Sequence, residues 1–313
     1  MLSINNLSVE LKSPDNPFII LRNVSLGLKR GEILGIAGES GSGKTILAKT
    51  ILNLIRKPVV KTAGSIILDG QELKNEKDFA AIRGSKVSMI FQNPTGSINP
   101  VFTVGAQITE AILAHNTGMK KKEAWEKAVS LLAEVEIPHP AERMNSYPHQ
   151  LSGGMNQRVM IAMALSCDPE VLIADEPTTA LDVTVQQQIL LLIKKLNREK
   201  NLSVIFITHD LGLLARIADE SCIMYAGEIM ERLSADNLKN ESMRHPYTRA
   251  LKDCIPSIGD KRQYLNTIKG TITFNGSSFN SKCVFADRCE RKTERCVREK
   301  PEFKDGFSCF NPF

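Results

Sequence analysis

A chain of 313 residues, 42% of them hydrophobic, can bury a sizeable core, and at ~100–200 residues per domain it holds one large domain or two. The 40 basic and 35 acidic residues leave a net charge of +5, spread without a basic block, which argues against wrapping nucleic acid and keeps anionic ligands open. No apolar run reaches the ~18–20 residues that span a bilayer, and Met1-Leu2-Ser3-Ile4-Asn5 lacks the basic-then-apolar order of a signal peptide, so a cytosolic chain is expected.

Residues 4–11 and 23–29 alternate apolar and polar side chains on either side of a proline-containing loop at 13–17, the pattern of antiparallel strands. Glu32-Ile33-Leu34-Gly35-Ile36-Ala37 is instead a short, nearly continuous apolar run, which predicts a buried strand. A helix is expected over 44–55, stopped before Pro58, then a strand and turn at 66–70 and another buried strand at 86–91. From about 104 the period becomes helical with lysines on one face, and a helical subdomain of about 104–165 is expected. Residues 157–166 predict a helix, 171–174 a short buried strand, 185–200 an amphipathic helix and 203–208 a strand. This alternation predicts an α/β fold, a parallel sheet with helices on both faces. After about residue 235 the pattern weakens, and the cysteine-rich end from about Asn275 is too short and polar to build a core without a staple.

Gly38-Glu39-Ser40-Gly41-Ser42-Gly43-Lys44-Thr45 fits G-x-x-x-x-G-K-S/T between a buried strand and a helix, the context a phosphate-binding loop requires. Its N–H groups and the helix N-terminus suit phosphate oxygens, Lys44 bridges the terminal phosphates, and the Thr45 hydroxyl can ligate Mg²⁺. Val171-Leu172-Ile173-Ala174-Asp175-Glu176 ends a buried strand in two acids, where a carboxylate is costly without a cation. Asp175 suits a Mg²⁺ shell, and Glu176 can polarise a water as general base. Two acids ending a strand are by themselves more often a solvated turn; the phosphate loop upstream reverses that weighting. His209 follows the apolar strand at 203–208 and can hydrogen-bond a γ-phosphate, although a lone histidine is as often structural. Gln92, before the turn Asn93-Pro94, carries an amide able to reach Mg²⁺ or water. In Leu151-Ser152-Gly153-Gly154-Met155-Asn156-Gln157-Arg158 a hydroxyl and bare N–H groups stand at a helix N-terminus, a second phosphate-binding device.

In this order the motifs resemble those of the nucleotide-binding subunits of ABC transporters, over residues 2 to about 240: a Walker A loop, Gln92, a signature, Walker B with Glu176, a D-loop at Ala180-Leu181-Asp182 and a switch histidine, His209. The resemblance implies ATP hydrolysis, with Ser152, Gly153, Gly154 and Met155 of one subunit closing over the nucleotide of another, and Mg²⁺ held through Thr45, Gln92 and Asp175. Leu11 stands where the family usually places an aromatic residue against adenine, and Phe18 in the following loop is the substitute. Gly38-Glu39-Ser40-Gly41-Ser42-Gly43-Lys44, Phe91-Gln92-Asn93-Pro94, the run from Ala174 to Val183 and His245-Pro246-Tyr247-Thr248 resemble the ATPases of bacterial oligopeptide, dipeptide and nickel importers. On that resemblance the ATPase domain is 1–240 and a C-terminal extension 241–313.

Three of the seven cysteines are scattered, and four, Cys283, Cys289, Cys296 and Cys309, crowd the end as C-x5-C-x6-C-x12-C. The spacing has no C-x2-C pair and fits the usual zinc ribbons poorly. In peptide-importer relatives such an extension holds a 4Fe-4S cluster, which would supply the staple; zinc and free thiols stay open. The resemblance further implies a second ATPase subunit, a paralogue in a heterodimer; two permease subunits that dock at residues 93–99 and the helical region before Tyr147; an extracytoplasmic substrate-binding protein; no nucleic acid; and a peripheral place on the cytoplasmic face of the membrane. Peptide import is the expected activity, with nickel or metal-chelate import the alternative and a non-transport ATPase less favoured.

Overall fold

The computed structural model describes residues 1–13, 18–92, 94–255, 266–272 and 281–313. Most of the loop expected at 13–17, the turn residue Asn93 and the start of the cysteine-rich end at Asn275 lie outside the described residues. The strands, in chain order, are β1 (Leu2–Leu11), β2 (Phe18–Leu28), β3 (Ile33–Ala37), β4 (Val59–Leu68), β5 (Gln71–Glu72), β6 (Val87–Ile90), β7 (Val171–Asp175), β8 (Ser203–Thr208), β9 (Glu220–Tyr225) and β10 (Glu228–Ser234). The described chain forms two compact units: Met1–Lys29, Ile33–Asn75 and Phe206–Phe313 make the first, Arg30–Glu32 and Glu76–Ile205 the second. Strand β8 contributes its opening residues to the second unit and its end to the first.

In the first unit β2-β1-β4-β5 form an antiparallel sheet. Leu2, Ile4, Leu7 and Val9 of β1 are almost fully buried, and the odd spacing between Ile4 and Leu7 is absorbed by a register shift at Asn6, which takes a left-handed φ of 48°. Asparagine tolerates that conformation, so one irregular residue lets two alternating apolar pairs share a face. The second sheet of this unit runs β10-β9-β3-β8, with β10 antiparallel and β3 parallel to β9. Every β3 residue is buried, as a strand covered on both faces must be. The helix Lys44–Ile51 is shorter than the expected 44–55, because Asn53 turns left-handed at φ 52° and closes the chain back with an N–H bond of 3.0 Å to the Thr50 carbonyl.

In the second unit β8-β7-β6 lie side by side, with β6 and β7 parallel. The amphipathic middle of the sequence forms helices Val104–His115, Lys121–Glu134, Pro140–Arg143 and Gly153–Leu165. Thr103 opens the first by accepting the Ala106 N–H at 3.3 Å, and Ile108, Ile112, Ala128 and Leu132 supply fully buried stripe positions at ~1.5–3 kcal/mol for each large side chain. The helix Gly153–Leu165 begins four residues earlier than the expected 157, since Ser152 accepts the Met155 N–H at 3.3 Å as its N-cap. Among the described residues no helix is long and apolar enough to cross a membrane.

Candidate nucleotide site

Strand β3 delivers the chain straight into Gly38-Glu39-Ser40-Gly41-Ser42-Gly43, and Lys44 begins the next helix. A Cβ on Gly38 would stand 2.1 Å from the Met224 carbonyl oxygen, so only glycine lets the loop leave the sheet here. Lys44 is buried, and its ammonium donates to the carbonyls of Gly38 at 2.7 Å and Glu39 at 2.9 Å and to Ser42 Oγ at 3.4 Å. A buried ammonium ringed by the loop's own oxygens is a cation positioned for anionic oxygens. Ser42 is fully buried, and Thr45, in the first helical turn, is half-buried. In the same unit His209 is exposed directly after β8, and Asp210 fixes the following turn by accepting the N–H groups of Gly212 at 2.7 Å and Leu213 at 3.3 Å.

The expected substitute for an adenine-stacking aromatic changes place. Phe18 is the first residue of β2, and its Cα partner across the sheet is Leu11, the last residue of β1. Both are half-buried, so the two candidates form one apolar patch at paired strand ends.

In the second unit all five residues of β7 are buried, including Asp175, which is 1% exposed. Burying that carboxylate is costly unless a cation or donors compensate, which is the chemistry of a metal ligand. Glu176 takes a left-handed φ of 48°, a conformation costing about 1–3 kcal/mol for such a residue. The turn aims its carboxylate at two donors: Oε2 accepts from Gln92 Nε2 at 3.0 Å and from Thr179 Oγ1 at 2.9 Å. Gln92 and Glu176, 84 positions apart, are thus brought into direct contact. Ser152 and Gly153 are exposed, while Gly154 and Met155 are half-buried; a Cβ on Gly154 would meet Val185 Cγ1 at 2.6 Å, so this glycine also lets two helices approach. Asp182 caps the helix Val183–Lys200 by accepting the Val185 N–H at 2.9 Å.

None of the four C-terminal cysteines forms a disulfide; Cys283 and Cys296 are buried and Cys289 and Cys309 half-buried. Burial pushes the Cys283 thiol up to about 12 and raises those of Cys289 and Cys309. In each of these three the N–H two residues on, from Phe285, Arg291 and Asn311, bonds the sulfur. Even so, among the described residues no group of three or more His, Cys, Asp or Glu side chains is placed to hold a metal ion. The four sulfurs therefore lack the convergence on one point at ~2.3 Å that a zinc ion demands.

Sequence reasoning singled out His245-Pro246-Tyr247-Thr248 without a physical role for it. His245 caps the helix Pro246–Asp253, its Nδ1 accepting the Tyr247 N–H at 3.0 Å, and burial pulls its imidazole down to about 4. The Tyr247 hydroxyl then accepts the Glu39 N–H at 2.9 Å, on the phosphate loop. Arg288, which no sequence pattern marked, bonds the Glu39 carboxylate.

A phosphate loop after a buried strand, and a strand-end acid pair with a glutamine on the second acid, define a phosphate-loop ATPase. The ABC transporter pattern matches residues 21–179, and the chain belongs to the ABC transporter family, as one of its ATPases. A second pattern, the oligopeptide/dipeptide transporter C-terminal region, matches residues 230–296. The chain is 44% identical to the oligopeptide transport ATP-binding protein AppD of Bacillus subtilis, over 96% of this chain and 92% of that protein. It is 43% identical, with the same coverage of both chains, to the dipeptide transport ATP-binding protein DppD of Escherichia coli. Among solved structures, a dimeric post-hydrolysis state of the ATP-binding cassette MJ0796 bound to ADP and Pi superposes with a TM-score of 0.67 at 30% identity, covering 75% of this chain and 99% of that one.

Proposed function

We propose that this chain is the ATP-hydrolysing subunit of a peptide importer, acting peripherally at the cytoplasmic face of the membrane. The observation that carries the reading is likeness along nearly the whole chain, 96% of it, to ATP-binding proteins named for oligopeptide and dipeptide transport. The match of residues 230–296 to the transporter C-terminal region supports peptides over nickel or metal chelates. The domain division proposed with it is 1–240 and 241–313.

In the proposed reaction Gly38, Glu39, Ser40, Gly41, Ser42, Gly43, Lys44 and Thr45 hold the ATP phosphates, and Leu11 with Phe18 meets adenine. Thr45, Gln92 and Asp175 would hold Mg²⁺, whose chemistry there would be to neutralise phosphate charge. Glu176 takes the proton of the attacking water, oriented by the Gln92 amide it already binds at 3.0 Å, and His209 hydrogen-bonds the γ-phosphate. Ser152, Gly153, Gly154 and Met155 of a second ATPase subunit, a paralogue, complete the site, with Asp182 at the D-loop beside it. Two permeases dock on residues 93–99 and the helices before Tyr147, and they connect the motor to a substrate-binding protein outside. The exposed Phe91, Val101 and Phe102 support that docking face.

The four cysteines are assigned to a 4Fe-4S cluster, which spreads its thiolates over several irons and so does not need the convergence a single zinc ion requires. The recurring N–H to sulfur bonds support thiolate ligands there. Anaerobic purification should give coloured protein with iron; colourless protein with stoichiometric zinc overturns this assignment. The function itself is tested by purifying the chain from membranes with its permeases and measuring ATP hydrolysis. Stimulation by a peptide-loaded binding protein is the expected result, and stimulation by a nickel chelate alone, or recovery without permeases, defeats it.

A further inference from the structure

Tyr247 and Arg288 lie far from the phosphate loop in sequence, yet both reach Glu39. Arg288 stands just before Cys289, and its side chain is 7% exposed. Its Nη1 donates to Glu39 Oε2 at 2.6 Å and its Nη2 to Glu39 Oε1 at 3.0 Å, a two-pronged ion pair. The remaining donors are spent on the Lys269 carbonyl at 2.8 Å, the Ile268 carbonyl at 3.1 Å and the Tyr225 hydroxyl at 3.4 Å. An exposed ion pair contributes little, but a forked guanidinium fixed by three further acceptors holds its carboxylate in one place.

Glu39 is gripped elsewhere too. Its N–H donates to Tyr247 Oη at 2.9 Å, and its carbonyl accepts from Lys44 Nζ at 2.9 Å and from the Ser42 N–H at 3.1 Å. Behind these contacts Tyr225, Tyr247 and Phe285 pack with ring centroids 4.7, 5.2 and 5.2 Å apart. Phe285 also donates its N–H to the sulfur of Cys283. A continuous set of contacts therefore runs from the cysteine segment, through Phe285 and Arg288, to the residue whose carbonyl anchors the phosphate-binding lysine.

We propose that Arg288 is a positioning residue for the phosphate loop: by fixing Glu39 from 249 positions away, it holds Lys44 and the loop N–H groups ready for phosphate, so that the C-terminal cysteine segment governs nucleotide affinity. A loop ordered beforehand spares the nucleotide the cost of ordering it, which is why the effect falls on binding more than on the chemical step. The inference rests on the nucleotide reading of the loop.

The test uses the full chain and a fluorescent ATP analogue with Mg²⁺, together with steady-state hydrolysis and thermal unfolding. Arg288→Ala should weaken binding about tenfold and raise KM in step, with a much smaller change in kcat. Arg288→Lys should recover only part of the affinity, because an ammonium cannot make the fork. Glu39→Gln alone should weaken binding, and adding it to Arg288→Ala should change nothing further. Arg249→Ala, which removes a comparable arginine stacked 4.1 Å from the Phe313 ring in the same segment, should lower Tm without moving affinity. Independent, multiplying effects at 39 and 288, full recovery by lysine, or an equal loss of affinity in Arg249→Ala each overturns the proposal. Undiminished binding by Lys44→Ala would instead break the nucleotide reading of the loop.

Discussion

Strand β3 and strand β7 are both buried along their whole length, and both end in polar chemistry, but they leave the sheet differently. After β3 the sharp geometry is taken by glycine, and every polar group of Glu39 has a partner. After β7 a glutamate itself occupies the left-handed region, its carboxylate accepting from Gln92 and Thr179 and its carbonyl from the Thr179 N–H at 3.2 Å. One edge is built to stay still. The other stores strain in the residue proposed as the general base, as functional sites often do.

The largest expected effect sharpens that contrast at β7. Glu176→Gln keeps the side chain's size and loses the base, so ATP turnover should fall about 10³-fold while nucleotide binding persists and the closed dimer is trapped. Turnover at the native rate, measured by phosphate release, would show that the strained edge is not where water is activated. At β3 the corresponding change is Gly38→Ala, whose Cβ meets the Met224 carbonyl, a backbone atom with little freedom to retreat. A loss of about 3 kcal/mol in denaturant unfolding is expected, accompanied by weaker nucleotide binding.

The support beneath the β3 edge should show itself through pH. His245 is buried and neutral, with a folded pKa near 4 against an ordinary value of 6.5, so its stabilising contribution is complete above pH 6.5 and is lost as pH falls toward 4. That window holds about 3 kcal/mol, and unfolding measured from pH 7 to 4.5 should steepen accordingly, with a flatter profile in His245→Gln. The smallest effect returns to β7: Glu176→Asn, inactive but at ease in the left-handed region, should gain about 0.5–1 kcal/mol in stability. A loss of stability in that variant would mean that the bonds to Gln92 and Thr179 outweigh the strain.

The motor parts were legible because each is local: a glycine loop, two acids and a capped helix are written in runs of eight residues or fewer. The helical middle was legible from its period. The first five residues of β2 were missed, since Pro17 just before Phe18 made the stretch look like loop. The start of the helix at Gly153 was set too late because two glycines argue against helix until Ser152 is recognised as their cap. The sheet proved mixed where a parallel one was expected, because β10 returns beside β9 through a tight two-residue connection. Arg288 and Glu39 could not be paired from sequence by any periodicity, being 249 positions apart with ordinary charged neighbours. The roles given to individual residues of the site came from motif resemblance, and they stand or fall with the variants above.

The pair of Arg288 and Glu39 also sets a rule for exchange. A C-terminal segment transplanted between related subunits should work only when the acid at position 39 travels with it. Two stretches that sit almost at opposite ends of the coding order would then be inherited, or engineered, as one cassette.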